Sequence, residues 1–411
     1  MPGFHRANGE LACDGVRLSD VAREVGTPVY VYSRALIEEN YRRFDAAFAS
    51  VPHVVCYAAK ANSNLSVLDC LARLGSGADV VSGGELRAVL ERGFIPERVV
   101  FSGVGKTDGE IRSGVSAGIL ALNVESEPEL RKVNSAALAA GVVARVALRV
   151  NPDIDARSHP YISTGRKHNK FGVDIRAARA LFEAARNLTG VRMTGVQAHI
   201  GSQILEVEPL AEAARELAAL ALSLRKDGFP IETLDIGGGL GIPGEGERGA
   251  TPEDYASAVL PHLRGLPFKI LIEPGRAIVG PAGVLLTRVL YLKDTSEKHF
   301  VITDAGMNDL LRPALYDAIH RIESVKPRAG SLTADVVGPV CETSDSFARD
   351  RQIDAVEEGD WLAIRDTGAY GLAMSSNYNF RPRAAEVLVE GDTYRVVRRR
   401  ETYEDLTRLE G

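Results

Sequence analysis

Eight short apolar runs, each followed by a longer segment with helical spacing, recur between residues 50 and 276. The runs are Val54–Lys60, Ala78–Ser82, Val99–Ser102, Ile119–Asn123, Arg145–Asn151, Thr194–Ser202, Thr233–Gly237 and Lys269–Glu273. They do not alternate cleanly between apolar and polar residues, which is the pattern of parallel strands buried on both faces. Segments such as Leu65–Leu74, Gly84–Arg92, Pro209–Lys226 and Pro252–Leu263 supply the intervening helices. Eight strand–helix units in succession predict an α/β fold of the TIM-type (β/α)8 barrel class. An open doubly wound parallel sheet is the alternative.

After residue 280 the pattern changes. Val284–Leu292, Phe300–Asp304, Ala334–Val337, Trp361–Asp366, Ala385–Val389 and Tyr394–Arg398 read as strands punctuated by Gly, Pro and Asp. They predict a C-terminal all-β domain, sandwich-like or barrel-like. Strand character around Gly9–Leu18 and Val29–Tyr32 allows the N-terminal segment to join it. The expected division is residues 28–278 for the barrel, and residues 1–27 with 279–411 for the β domain.

Composition excludes several functions. The formal net charge is −6, so bulk electrostatics gives no reason to expect nucleic acid or an anionic membrane as partner. No apolar run approaches the ~20 residues of a membrane span, and Met1–Arg6 lacks the pattern of a secretory signal. Cys13, Cys56, Cys70 and Cys341 show no C-x-x-C spacing, and the histidines form no ligand cluster. No metal site is expected, and a reducing cytoplasm is the expected compartment. Glycine is abundant, at 40 of 411 residues, which points to special backbone positions in a chain this apolar.

In such a barrel the functional groups gather at the C-terminal strand ends. Lys60 closes the first run. It is either a solvated strand-end lysine or an amine whose pKa is lowered by desolvation, suited to an imine with an aldehyde. Gly237-Gly238-Gly239 closes the seventh, where barrels often bind phosphate; Ser202 and Gly275-Arg276 stand at neighbouring ends. A tight turn is the plainer explanation, although it needs fewer than three glycines. Gly239–Gly244 formally matches G-x-G-x-x-G, but Pro243 and the following residues open no helix, so a dinucleotide reading lacks its physical basis. Glu273, before Pro274, is either a solvated acid or a partner for a protonated ring nitrogen. His199 is either a core histidine or a flat face for a planar ring. Together, an imine-forming lysine, a phosphate cradle and a carboxylate for a heteroaromatic nitrogen are what pyridoxal 5′-phosphate requires.

The chain resembles the barrel-type pyridoxal-phosphate decarboxylases, the diaminopimelate decarboxylase family in particular. The resemblance rests on Tyr57–Asn62, Asp79–Glu85, Asn151–Asp153, His168–Gly172, His199–Ser202, Gly237–Gly239, Glu273–Arg276, Arg312–Tyr316 and Gly338–Glu342. It implies that Lys60 carries the cofactor, with His199 on its ring, Asp79 and Tyr370 beside it and Glu273 at the ring nitrogen. Ser202, Gly238, Gly239, Pro274, Gly275 and Arg276 would hold the phosphate. Arg276, Arg312, Tyr316, Glu342 and Tyr370 would bind substrate, and Cys341 would act as proton donor. It further implies a homodimer with shared sites, Cys341 reaching Lys60 from the partner, and decarboxylation of meso-diaminopimelate to L-lysine. The arginines suit a distal carboxylate. Decarboxylation of ornithine, carboxynorspermidine or a natural-product precursor, and an inactive cofactor-binding relative, are the rivals. A racemase-like reading conflicts with Glu273.

Overall fold

The computed structural model describes residues 3–156 and 170–410. Eight strands form the barrel: β1 His53–Ala58, β2 Gly77–Val80, β3 Val99–Phe101, β4 Ala121–Val124, β5 Ala144–Asn151, β6 Val191–Gln197, β7 Thr233–Asp235 and β8 Lys269–Ile272. Every neighbouring pair is parallel, β8 pairs with β1, and β4 pairs with β5, so the sheet closes. The open-sheet alternative is thereby excluded. Every residue of β2, β3, β4 and β7 is buried, because helices cover the outer face and side chains fill the inner one. The helices start where the sequence offers caps. Ser82, Thr107, Ser126 and Thr251 each accept an N–H of the first turn, contributing about 1 kcal/mol apiece.

Most of the remaining strands form a second sheet built on the long strand Gly283–Asp294. It pairs antiparallel with Val29–Ser33, His299–Thr303 and Trp361–Ile364. Val29–Ser33 falls within the expected barrel segment by position, yet its hydrogen bonds lie in this sheet, to Gly283–Leu286 and to Ala385–Val389. The stretch Gly9–Leu18, read as strand-like, contributes to a small three-stranded sheet before the helix Leu18–Val25 begins. Ser346–Asp354 is a nine-residue strand that sequence reading missed. It carries Arg349, Asp350 and Arg351, and only three of its nine residues are buried, so it shows no apolar run.

This architecture sets the C-terminal ends of β1–β8 against the β domain. Tyr370 donates its backbone N–H to Ala61 O at 2.8 Å, and the Asn62 amide donates to Gly368 O at 3.0 Å. The loop of the β domain that holds Gly368 and Tyr370 is therefore fastened to the turn that carries Lys60.

Candidate active site

Lys60 stands just past β1, in the single 3-10 turn Ala59–Ala61. Its ammonium contacts the fully buried carboxylate of Asp79 at the end of β2. Here the expectation from sequence is corrected. Burial pulls the lysine pKa down, but Asp79, with Tyr370 and Glu273 close by, overrides it and holds the amine above its ordinary value. The acidic floor, which a single strand cannot reveal, decides the sign.

That floor contains three carboxylates, Asp79, Asp235 and Glu273, each at most 5% exposed. Burial, then the proximity of Asp235 and Asp79, pushes Glu273 well above the usual carboxylate range. Burial likewise raises Asp235 to about 6. The Gln197 amide donates to Glu273 at 3.3 and 3.5 Å. Asp79 Oδ1, Asp235 Oδ2 and Gln197 Oε1 are buried acceptors with no hydrogen-bond donor among the described residues. A protonated ring nitrogen is the kind of group this floor lacks.

His199 follows β6. Burial, then the positive charges of Arg149 and Lys60, hold its pKa well below the ordinary value, so the ring is neutral. Its Nδ1 accepts the Gly238 N–H at 3.3 Å, which places the proton on Nε2. Gly237 and Gly239 adopt left-handed φ of 68° and 113°. A Cβ on Gly238 would lie 2.2 Å from Glu273 O. All three glycines are thus required by the close approach of neighbouring backbone, whatever they bind. The N–H groups of Gly239, Gly275 and Arg276 find no acceptor among the described residues. Together with the Ser202 hydroxyl they are the donors a phosphate needs.

Arg276 and Arg312 complete the wall. Both are buried to within 9%, and neither has a carboxylate partner among the described residues. Arg276 lies over the Tyr370 ring at 4.7 Å and Arg312 over Tyr316 at 6.0 Å. Burial lowers the Arg276 pKa; burial and then Arg276 itself bring Arg312 to about 10. Two desolvated cations without a counter-ion make a strong anion site.

Lys60, Asp79, His199, Ser202, Glu273, Arg276, Arg312, Tyr316 and Tyr370 all line one cavity of about 430 Å³. That volume is in the range of small-molecule sites. The donor set fits pyridoxal phosphate: an amine, an acidic floor, a neutral imidazole, phosphate donors and further cations beyond them.

The comparisons agree with this chemistry. The model of the pyridoxal-dependent decarboxylase pyridoxal-binding domain matches residues 34–280. The diaminopimelate decarboxylase of Pseudomonas aeruginosa is 51% identical over 99% of this chain and 98% of its own length, and that of Vibrio cholerae is 49% identical over the same shares. The chain belongs to the diaminopimelate decarboxylase family. A crystal structure of the family from Helicobacter pylori, complexed with L-lysine, superimposes with a TM-score of 0.93 at 46% identity, covering 96% of this chain and 99% of that one. A second, from M. jannaschii with L-lysine, gives 0.95 at 40% identity, covering 99% and 97%.

Not every expected residue of this family member meets at the cavity. Gly238, Gly239, Pro274 and Gly275 are not among the residues that line it; they neighbour the lining residues Glu273 and Arg276 or lie in the adjoining glycine turn. Cys341 and Glu342 are exposed on the β domain, away from the cavity lining of their own chain. Cys341 donates its N–H to Asn379 Oδ1 at 3.4 Å; Glu342 accepts from the Tyr378 hydroxyl and from Ser344 Oγ. His168 and Asn169 lie outside the described residues. Sequence reading gave no site role to Gln197, Asp235, Arg149 or Phe171. Arg149 is buried at the end of β5, pairs with Glu125 at 3.0 Å and lies over the Phe171 ring at 4.8 Å. The only available signal was that polar residues close β5, β6 and β7 as they close β1 and β8.

Proposed function

We propose that the chain decarboxylates meso-2,6-diaminopimelate to L-lysine and carbon dioxide with pyridoxal 5′-phosphate. The observation that carries this reading is the pair of buried, uncompensated arginines, Arg276 and Arg312, in the cavity that holds Lys60. Pyridoxal phosphate, when bound, supplies an electron sink for the bond pair that carbon dioxide leaves behind. Lys60 Nζ is the covalent anchor, and Asp79 takes up its positive charge. Glu273 receives a ring N–H on the floor, and the neutral face of His199 backs the ring without adding charge. Ser202, Arg276 and the N–H groups at Gly239 and Gly275 hold the phosphate, with Gly238 and Pro274 fixing the turns between them. Arg312 and Tyr316, with Arg276 and Tyr370, bind the distal carboxylate and orient the leaving carboxylate away from them.

The working unit is a homodimer with shared sites. Cys341 and Glu342 need a second copy of the chain to reach a cavity, and the surface around them suits burial: Ile319 is 58% and Phe380 54% exposed. Cys341 Sγ–H from that copy protonates the substrate α-carbon, and Glu342 receives the distal ammonium. With four unpaired cysteines and a biosynthetic reaction, the cytoplasm is the compartment that fits; no helix among the described residues is long and apolar enough to cross a membrane. The test is a product assay with cofactor on meso-diaminopimelate, L-lysine, L-ornithine and carboxynorspermidine. Lysine formed from the first substrate, with little turnover of the others, is expected. Preferred turnover of ornithine would overturn the role given to the arginines.

A further inference from the structure

Asp235 lies at the end of β7 and is 1% exposed. Its cross-strand partners are Gln197 on β6 and Leu271 on β8. Asp235 Oδ1 accepts the Gly237 N–H at 2.9 Å. Asp235 Oδ2 is buried, and no donor among the described residues reaches it. Gln197, its cross-strand partner, donates its amide to Glu273 at 3.3 and 3.5 Å, which brings the Glu273 carboxyl group within side-chain hydrogen-bond reach of Asp235. The ionisable groups facing the pair from other elements are Cys56 on β1, Lys60 after it, Asp79 on β2 and Tyr255 on the helix Pro252–Leu263. Only Lys60 is cationic, and it is engaged by Asp79.

Two ionised carboxylates in contact in a dry interior repel. One proton between them replaces that repulsion with a charge-assisted O–H···O bond and supplies the donor that Asp235 Oδ2 lacks. We propose that Asp235 is a positioning residue for the reaction: it shares one proton with Glu273, which holds that proton in the empty site and passes it to Asp235 Oδ2 when Glu273 presents its carboxylate to the cofactor's ring nitrogen. Only the shared O–H is made or broken, and the pair carries one negative charge throughout. A fully ionised pair would leave Glu273 free to turn toward Lys60; a doubly protonated one would give the ring nitrogen no acceptor. The inference rests on assigning Glu273 to the ring nitrogen, and the first readout below does not depend on that assignment.

The test uses the full chain stripped of cofactor, followed by difference infrared spectroscopy of the carboxyl stretch at about pH 7, where an ordinary carboxyl is ionised. Subtracting Asp235→Asn from wild type, and Glu273→Gln from wild type, is expected to reveal the same protonated-carboxyl band. Its absence from both difference spectra overturns the shared proton. The second readout is the cofactor dissociation constant. Asp235→Asn still accepts from Gly237 and donates to Glu273, so binding stays within about threefold; Asp235→Leu leaves both groups unpartnered and weakens it at least about tenfold. Wild-type affinity in Asp235→Leu overturns the positioning role. A normal band together with unchanged cofactor binding in Glu273→Gln instead overturns the assignment of Glu273 to the ring nitrogen.

Discussion

Replacing Gly238 by alanine adds one methyl group at the tightest point behind the cavity. Its Cβ would sit 2.2 Å from Glu273 O and 3.0 Å from Glu273 C. Both are backbone atoms at the end of β8, so no side chain can swing aside. Restoring ordinary contact requires the ends of β7 and β8 to separate by about 1 Å. The separation moves Glu273 away from the floor, and it moves the Gly238 N–H away from His199 Nδ1, which that N–H holds. Overpacking of this kind costs about 1–3 kcal/mol of stability. A misplacement of about 1 Å at reacting groups lowers turnover by about 10²-fold. The assay is steady-state lysine formation at saturating cofactor, with cofactor affinity and melting temperature measured on the same preparation. Gly84→Ala is the control: in the first turn of the helix Gly83–Glu91, its nearest atom is Ser82 Oγ at 3.8 Å, and activity is expected to be unchanged. Gly238→Ala with activity within about twofold of wild type and unaltered cofactor binding would refute the argument that packing here holds the site.

Arg312→Ala removes one charge-assisted partner of the distal carboxylate; KM for diaminopimelate should rise about 10- to 100-fold and kcat fall less, and an unchanged KM would remove Arg312 from substrate binding. Lys60→Ala and Cys341→Ala are each expected to be nearly inactive, but dissociating and reassociating the mixture should recover about a quarter of wild-type activity, since each mixed dimer carries one intact site; no recovery in verified mixed dimers would contradict shared sites. Asp309 supplies a pH test. It is buried, Oδ1 has no donor among the described residues, and burial raises its pKa from 3.8 to about 7. A raised carboxyl favours the folded state when protonated, so its contribution is full below about pH 4 and is lost as pH rises through about 7, by up to about 4 kcal/mol. Asp309→Asn should therefore raise the melting temperature above pH 7 and flatten its fall between about pH 4 and 7; an unchanged profile would show that Asp309 is already ionised without penalty.

The barrel was legible because strands buried on both faces must be continuously apolar, and all eight runs became strands within a few residues of their expected ends. Site residues were legible where chemistry and position coincide, as at Lys60, His199, Glu273 and Arg276, each just beyond a strand. Three things were not. Ser346–Asp354 is a strand with charged, solvent-facing residues, so it carries no apolar signal. The sign of the Lys60 shift depends on Asp79, Glu273 and Tyr370, which come from three other parts of the chain. The contact between Asp235 and Glu273 depends on the packing of β7 against β8, and no spacing within either strand encodes it.

Decarboxylation in this cavity removes one carboxylate from meso-diaminopimelate and retains the other. The most direct measurement is to incubate cofactor-loaded enzyme with the substrate and quantify carbon dioxide and L-lysine together. Equal amounts of both are expected, and neither product from Lys60→Ala carried through the same protocol. Carbon dioxide without L-lysine, a doubly decarboxylated diamine, or undiminished turnover by Lys60→Ala would contradict it.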